Sequence, residues 1–219
     1  MRRSTMDVAF TPAVKAIQTA KGSRDLCAEL EARAPWFDHV TPELEAFLAR
    51  QTSFFLGTAN AAGQPYIQHR GGQAGFLKVV GARQLGFADF AGNRQYITLG
   101  NLSENPRAIL FLIDFEQARR IKIWGRARVV EGDPALLDQL HTEGGRGRPE
   151  RAILFDIDAW DLNCPQHIPR RIDLARVATL LADRDARIAD LEAALAARDT
   201  AAADRGEEPE DGSRVGGDA

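Results

Sequence analysis

The chain has 219 residues, 44% of them hydrophobic and 27% charged, with a formal net charge of −3 and two cysteines. That length and balance suit one folded core with appendages, and they argue against a basic nucleic-acid-binding domain or a disulfide framework. The opening MRRSTMDVAF carries charge with no apolar run behind it, and no 18-residue apolar stretch follows, so neither a signal peptide nor a membrane span is expected and the cytoplasm is the expected compartment.

Residues 1–51 read as a helical segment. A Gly22-Ser23 break separates a first helix from a second over Arg24–Ala34, which Pro35 and Trp36 end. Thr41-Pro42-Glu43 then supplies an N-cap, a proline at the first helical position and an acid in the first turn. These helices are expected to pack on the outside of a sheet.

The sheet begins at Thr52. Ser53–Ala59 is a mostly apolar strand, Asn60–Gly63 a hairpin turn, and Pro65–Arg70 the returning strand. Phe76–Val80 and Leu85–Phe90 form a second hairpin. The glycines Gly71, Gly72 and Gly75 between the hairpins lack the Gly-Lys-Ser/Thr of a P-loop. A polar loop carrying Asp89, Gly92, Asn93 and Arg94 then opens a helix at about Gln95, where unpaired first-turn N–H groups and a cation suit a phosphate. Arg107–Phe115 has no polar face and is expected to be buried on both sides.

The strand after it alternates. Ile121, Ile123, Ala127 and Val129 point one way, and Arg120, Lys122, Trp124, Arg126 and Arg128 the other. A face with four cations calls for an anion, a partner subunit or water. Pro134–His141 follows as a helix capped by Asp133, then a basic loop over 144–149. A last strand, Arg151–Asp161, sets Ile153, Phe155, Ile157 and Ala159 against Asp156, Asp158 and Trp160. The sum is an antiparallel meander of about six strands, mainly β with flanking helices. Without parallel βαβ units, a dinucleotide-binding sheet is excluded.

From Ile172 to Arg198 the period changes to seven, with Leu174, Val177, Leu181, Ile188, Leu191 and Leu195 at core positions and Arg184 as the polar interruption. We assign 171–199 to a coiled-coil-like helix and 200–219 to a disordered tail. No histidine pair has metal-ligand spacing, and no catalytic triad is legible in sequence order. His69 reads first as a hydrogen-bonding strand residue, and Cys164 as an inert thiol.

One ordered set of residues is distinctive: Phe87, Asn93-Arg94-Gln95, Asn105-Pro106, and Arg119-Arg120-Ile121-Lys122-Ile123-Trp124-Gly125. It resembles the pyridoxamine 5'-phosphate oxidase-like superfamily of flavin-binding split barrels, over roughly Thr52 to Asp161. The resemblance implies a split β-barrel over 52–170, a homodimer, and flavin mononucleotide (FMN) at the subunit interface. Lys78 stands at the lysine of the family's phosphate-contacting strand, with Gln73 where that strand has arginine. Asn93 and Arg94 match the family's phosphate grip, with Gln95 in place of lysine. Ala88 and Asp89 match backbone positions under the flavin. Arg120 stands where a neighbouring-subunit glutamine reaches the ring. Arg70 and Trp124 complete the candidate set.

The tail that completes the true oxidase site is missing from WDLNCPQHIPRR. The implied function is therefore an FMN-dependent oxidoreductase passing hydride to or from an unidentified small molecule. The alternatives are a non-catalytic flavin-binding or sensing module, or a barrel holding haem or a deazaflavin.

Overall fold

The computed structural model describes residues 4–142, 149–163 and 166–204. The expectations for Cys164, for the basic loop's Gly144–Arg148 and for the tail beyond 204 fall outside these residues. The chain divides after Arg170 into two compact units.

The first unit is built on one seven-stranded antiparallel sheet: β1 Ser53–Ala59, β2 Pro65–Gly71, β3 Lys78–Gly81, β4 Gln84–Phe90, β5 Arg107–Asp114, β6 Arg119–Val130 and β7 Pro149–Asn163. The strand order is β2-β1-β5-β6-β7-β4-β3, so the sheet is not the simple meander expected. The two N-terminal hairpins sit at opposite edges, because β1 pairs with β5 and β4 pairs with β7. This is a split barrel, mainly β with flanking helices. Its core joins Leu56, Phe87, Leu110, Ile121, Ile123 and Phe155, with Phe54 stacked on Phe76 and edge-on to Phe87.

Two expectations about the strands need correction. In β5 only Ala108, Leu110 and Leu112 are buried; Ile109, Phe111 and Ile113 on the other face are partly exposed. In β7 the alternation does not persist to the end. Trp124 pairs with Ala159 and Gly125 with Ile157, which leaves Asp158 as the extra residue of a bulge. One inserted residue reverses the facing of every later side chain. Trp160 is thereby buried in the core instead of lying beside Asp156 and Asp158.

Helices α1 Pro12–Ala20, α2 Arg24–Arg33 and α3 Pro42–Leu48 precede the sheet. Thr11 and Thr41 cap α1 and α3, each with proline in the first turn, whereas Ser23 makes no capping bond at α2. The segment leading into α3 is tied to the sheet: Trp160 donates its backbone N–H to Phe37 O and its indole N–H to His39 O, each at 2.8 Å. Trp36 stacks on Trp124 at 4.6 Å and 8°, so part of the cationic face of β6 is covered from within the chain.

Charge pairs hold α1 and α2 together. Lys15 contacts Asp7 at 2.7 Å and Glu31 at 3.2 Å, and Arg24 also binds Glu31. Burial pushes the Glu31 carboxyl up, but Arg24 and Lys15 outweigh it and hold the group below the usual range. A depressed carboxyl contributes stability that is full above its unfolded pKa, near ~4.3, and is lost as pH falls through the folded value. Acidification from pH 7 to about 3 is therefore expected to lower the amide protection factors over 12–33, each taken relative to the intrinsic exchange rate at that pH. Glu31→Gln should show faster exchange already at pH 7, by about 0.5–1 kcal/mol, and a flatter pH response. An unchanged pH response in the variant would remove Glu31 as the cause.

α4 Ile97–Glu104 lies between β4 and β5, and α5 Pro134–Leu140 between β6 and β7 with Asp133 capping Leu136 N–H at 3.0 Å. The second unit contains α6 Leu174–Asp204. Asp173 precedes the helix, and its carboxylate accepts from Ala175 N–H at 2.8 Å. The helix runs past the boundary set at 200, because Thr200–Asp204 is rich in alanine, the best helix former. No helix among the described residues is long and apolar enough to cross a membrane.

Candidate functional site

β4 ends at Phe90, and the chain must then turn sharply into α4. Gly92, Arg94 and Tyr96 do this with φ of +52°, +57° and +54°. Glycine reaches that region freely, but for arginine and tyrosine it costs about 1–3 kcal/mol each, a strain that the surroundings must hold in place. Asn93 helps by accepting from Gln95 N–H at 3.2 Å. The left-handed Tyr96 delays the helix to Ile97, two residues later than Gln95.

Side chains on the buried face of α4 fix its position. Thr98 donates to Gln68 Oε1 of β2 at 2.7 Å, and Asn101 donates to Thr58 Oγ1 of β1 at 3.0 Å. Glu104 accepts from Ala61 N–H of the β1–β2 turn at 3.0 Å. The entrance of α4 has no side-chain cap and no acid in its first turn. Its free N–H groups and positive dipole end are therefore available to an anion.

A cavity of about 260 Å³ opens at this entrance. One wall is Tyr66, Gln68 and Arg70, the alternate residues of β2; the other is Asp89 and Phe90 at the end of β4 with the loop from Ala91 to Tyr96, and Arg151 of β7 lies behind. Asp89 is not a loop residue, as expected from sequence, but a buried residue of β4. Its carboxylate binds Arg70 and also Arg151, the latter at 3.3 Å. Arg151 further engages Glu131 at 3.1 Å and Glu150, and its guanidinium lies 5.4 Å from the centre of the Tyr96 ring. Burial lowers the pKa of Arg151, but the carboxylates of Asp89 and Glu150 more than restore it. Arg70 and Arg151 are thus spent on internal charge pairs. Arg94 also lines the cavity and has no ion-pair partner among the described residues.

Of the residues singled out from sequence, the cavity brings together Arg70, Asp89, Asn93, Arg94 and Gln95. Ala88 sits beside them on β4. Gln73, Lys78, Arg120 and Trp124 do not line it. Lys78 starts β3 opposite Gly86, Arg120 is on β6 opposite Ile113, and one face of Trp124 is taken by Trp36. Sequence reading missed Tyr66, Gln68, Tyr96, Thr98 and Arg151. The period-two spacing of Tyr66, Gln68 and Arg70 was a usable signal; nothing local marked Arg151.

A second, larger cavity, about 1010 Å³, lies beside Trp36 and the end of β7. It is lined by Glu31, Asp38, Glu43 and Asp161 against Arg33. Burial raises the Asp161 carboxyl pKa despite the nearby Lys122. That acidic lining disfavours an anionic ligand, so the smaller cavity is the candidate for one. No group of three His, Cys, Asp or Glu among the described residues is placed to hold a metal ion.

The family model for pyridoxamine 5'-phosphate oxidase matches residues 40–164, more than half of the chain. The chain belongs to the pyridoxamine 5'-phosphate oxidase family. All seven strands and every residue of the α4 cavity fall inside that match, whereas α1, α2 and α6 fall outside it. Solved structures similar to this family member include HupZ from Group A Streptococcus, 16% identical with a TM-score of 0.47, covering 61% of this chain and 99% of that one. A pyridoxamine 5'-phosphate oxidase-like protein from Lactobacillus delbrueckii is 18% identical with a TM-score of 0.44, covering 57% and 95%. An F420 reductase is 21% identical with a TM-score of 0.40, covering 56% and 98%. No curated protein matches.

Proposed function

We propose that the chain is a cytoplasmic FMN-binding homodimer that acts as an oxidoreductase on a small molecule, with the FMN phosphate at the entrance of α4. The observation that carries this reading is Arg94: of the three arginines lining the cavity, it alone has no ion-pair partner among the described residues. It does so beside an uncapped helix start. A guanidinium and backbone N–H groups are the donors that a phosphate dianion needs, and such charge-assisted bonds are the strong ones.

The residues present fit the group. Arg70 Nε is buried without a hydrogen-bond partner among the described residues, which suits an acceptor on the ligand. At about 260 Å³ the cavity is smaller than the roughly 300–1,000 Å³ of sites that enclose a whole ligand. It suits the phosphate and ribityl chain, with the ring walled by a second copy. An exposed apolar groove of about 360 Å³ on β2, β1 and β5, lined by Ile67, Phe55, Gly57, Ile109 and Phe111, favours such a partner. In this reading Arg120 comes from the second copy; its Nε is also buried and without a hydrogen-bond partner among the described residues.

When bound, the flavin supplies hydride transfer. The chain's part is to anchor the phosphate through Arg94 and the α4 amides, to hold Arg94 in position through the strained loop, and to polarise the ring through Arg120. Titration with FMN and with riboflavin, which lacks the phosphate, tests the reading. FMN is expected to bind at least tenfold more tightly. Equal affinities would remove the phosphate from the α4 entrance.

A further inference from the structure

We propose that α6 pairs with α6 of a second copy as a parallel, in-register two-stranded coiled coil. The helix has 31 residues and is thus about 46 Å long. Leu174, Leu181, Ile188 and Leu195 recur every seven residues, with Val177 and Leu191 between them on the same stripe. Among the described residues, Leu181, Ile188, Leu191 and Leu195 are 44–55% exposed and Leu174 83%. A sustained heptad stripe of this kind is the seam of a coiled coil, which needs another helix to fill it.

The charges beside the seam choose the occupant and its direction. Arg187 precedes the Ile188 position and Glu192 follows the Leu191 position, so they flank opposite sides of the stripe. Five residues apart on a helix of 3.6 per turn, they point about 140° from each other and do not meet within one chain. In a parallel in-register pair, each Arg187 faces Glu192 of the other copy, twice by symmetry. An antiparallel pair instead sets like flank against like: Asp185 against Asp185 and Arg187 against Arg187, or Asp185 against Glu192.

Arg184 fixes the register. It is the polar interruption of the seam and already contacts Asp185 at 3.0 Å. In register, the two Arg184 side chains share one layer with two Asp185 carboxylates beside it. A slip of one heptad would set each Arg184 against Val177 or Leu191 and bury it among apolar groups. Two strands also leave Arg184 a path to water that a three- or four-stranded bundle closes.

Site-directed cross-linking in the full-length protein tests this, with Cys27→Ser and Cys164→Ser as background. Leu191→Cys lies on the seam and Ala186→Cys on the opposite face of the same helix. Mild oxidation is expected to convert Leu191→Cys into a covalent dimer at least tenfold faster than Ala186→Cys. Adding Glu192→Arg to Leu191→Cys should slow the reaction, and adding Arg187→Glu as well should restore it. Equal rates at 186 and 191, no covalent dimer at 191, or no rescue by the charge swap would overturn the proposal. A dimer held by the barrels alone gives equal rates, so the outcome does not depend on the cofactor reading.

Discussion

Replacing Asp89 with alanine is expected to cost about 3–5 kcal/mol of folding stability, because removing one partner of a buried charge pair leaves the other charge uncompensated. Asp89 is 3% exposed and is the one carboxylate that binds both Arg70 and Arg151. Glu131 and Glu150 still neutralise Arg151 in the variant, but among the described residues Arg70 keeps no carboxylate. Asp89→Asn preserves shape and an acceptor and should lose less. Pairing Asp89→Ala with Arg70→Met should recover part of the loss, since apolar groups tolerate burial where an unpaired charge does not. Urea unfolding measures each step through the midpoint at constant slope. A loss below about 1 kcal/mol for Asp89→Ala would mean that water reaches the cluster and that it does not hold the cavity wall.

Gly125→Ala is expected to be comparably severe, at about 3 kcal/mol or more, the upper end for forcing extra volume into a packed site. A Cβ at this position would come within 2.0 Å of Asp156 O and 2.5 Å of the Phe155 ring. The first obstacle is backbone, paired across β6 and β7 beside the Asp158 bulge, so it cannot swing aside. Gly100 supplies the control. It lies within α4, nothing stands within 4 Å of its would-be Cβ, and alanine there should stabilise by up to about 1 kcal/mol. Thermal unfolding of the two variants should therefore move in opposite directions. Similar small shifts would show that β6 and β7 separate more easily than their register implies.

Local signals carried much of this fold. Ser53–Ala59 was legible to the residue because its apolar run ends in a turn with glycine, and the caps at Thr41 and Asp133 were legible because capping is short-range. What depended on pairing across the sheet was not. The facing of Trp160 turned on a bulge at Asp158 that only the register with β6 creates. The outer face of β5 looked buried because Ile109 and Phe111 are apolar, yet in the single chain their neighbours leave them half open.

The candidate site divides the same way. Asn93 and Arg94 stand out locally, between a strand and a helix. The Arg70–Asp89–Arg151 cluster joins three strands that are far apart in the chain, and Arg151 gives no local sign of its place. The strained Tyr96 likewise shifted the helix start, since tyrosine is not a residue whose type announces a positive φ.

The most direct measurement is FMN affinity by equilibrium titration, in the unaltered protein and in Arg94→Ala. Arg94 makes no ion pair among the described residues, so its loss should spare the fold and remove one hydrogen-bonded contact to the phosphate, about 1.5–3 kcal/mol or roughly 10- to 150-fold in affinity. Riboflavin should bind both proteins weakly and about equally. FMN affinity unchanged in Arg94→Ala, or no FMN binding by the unaltered protein, would contradict the account.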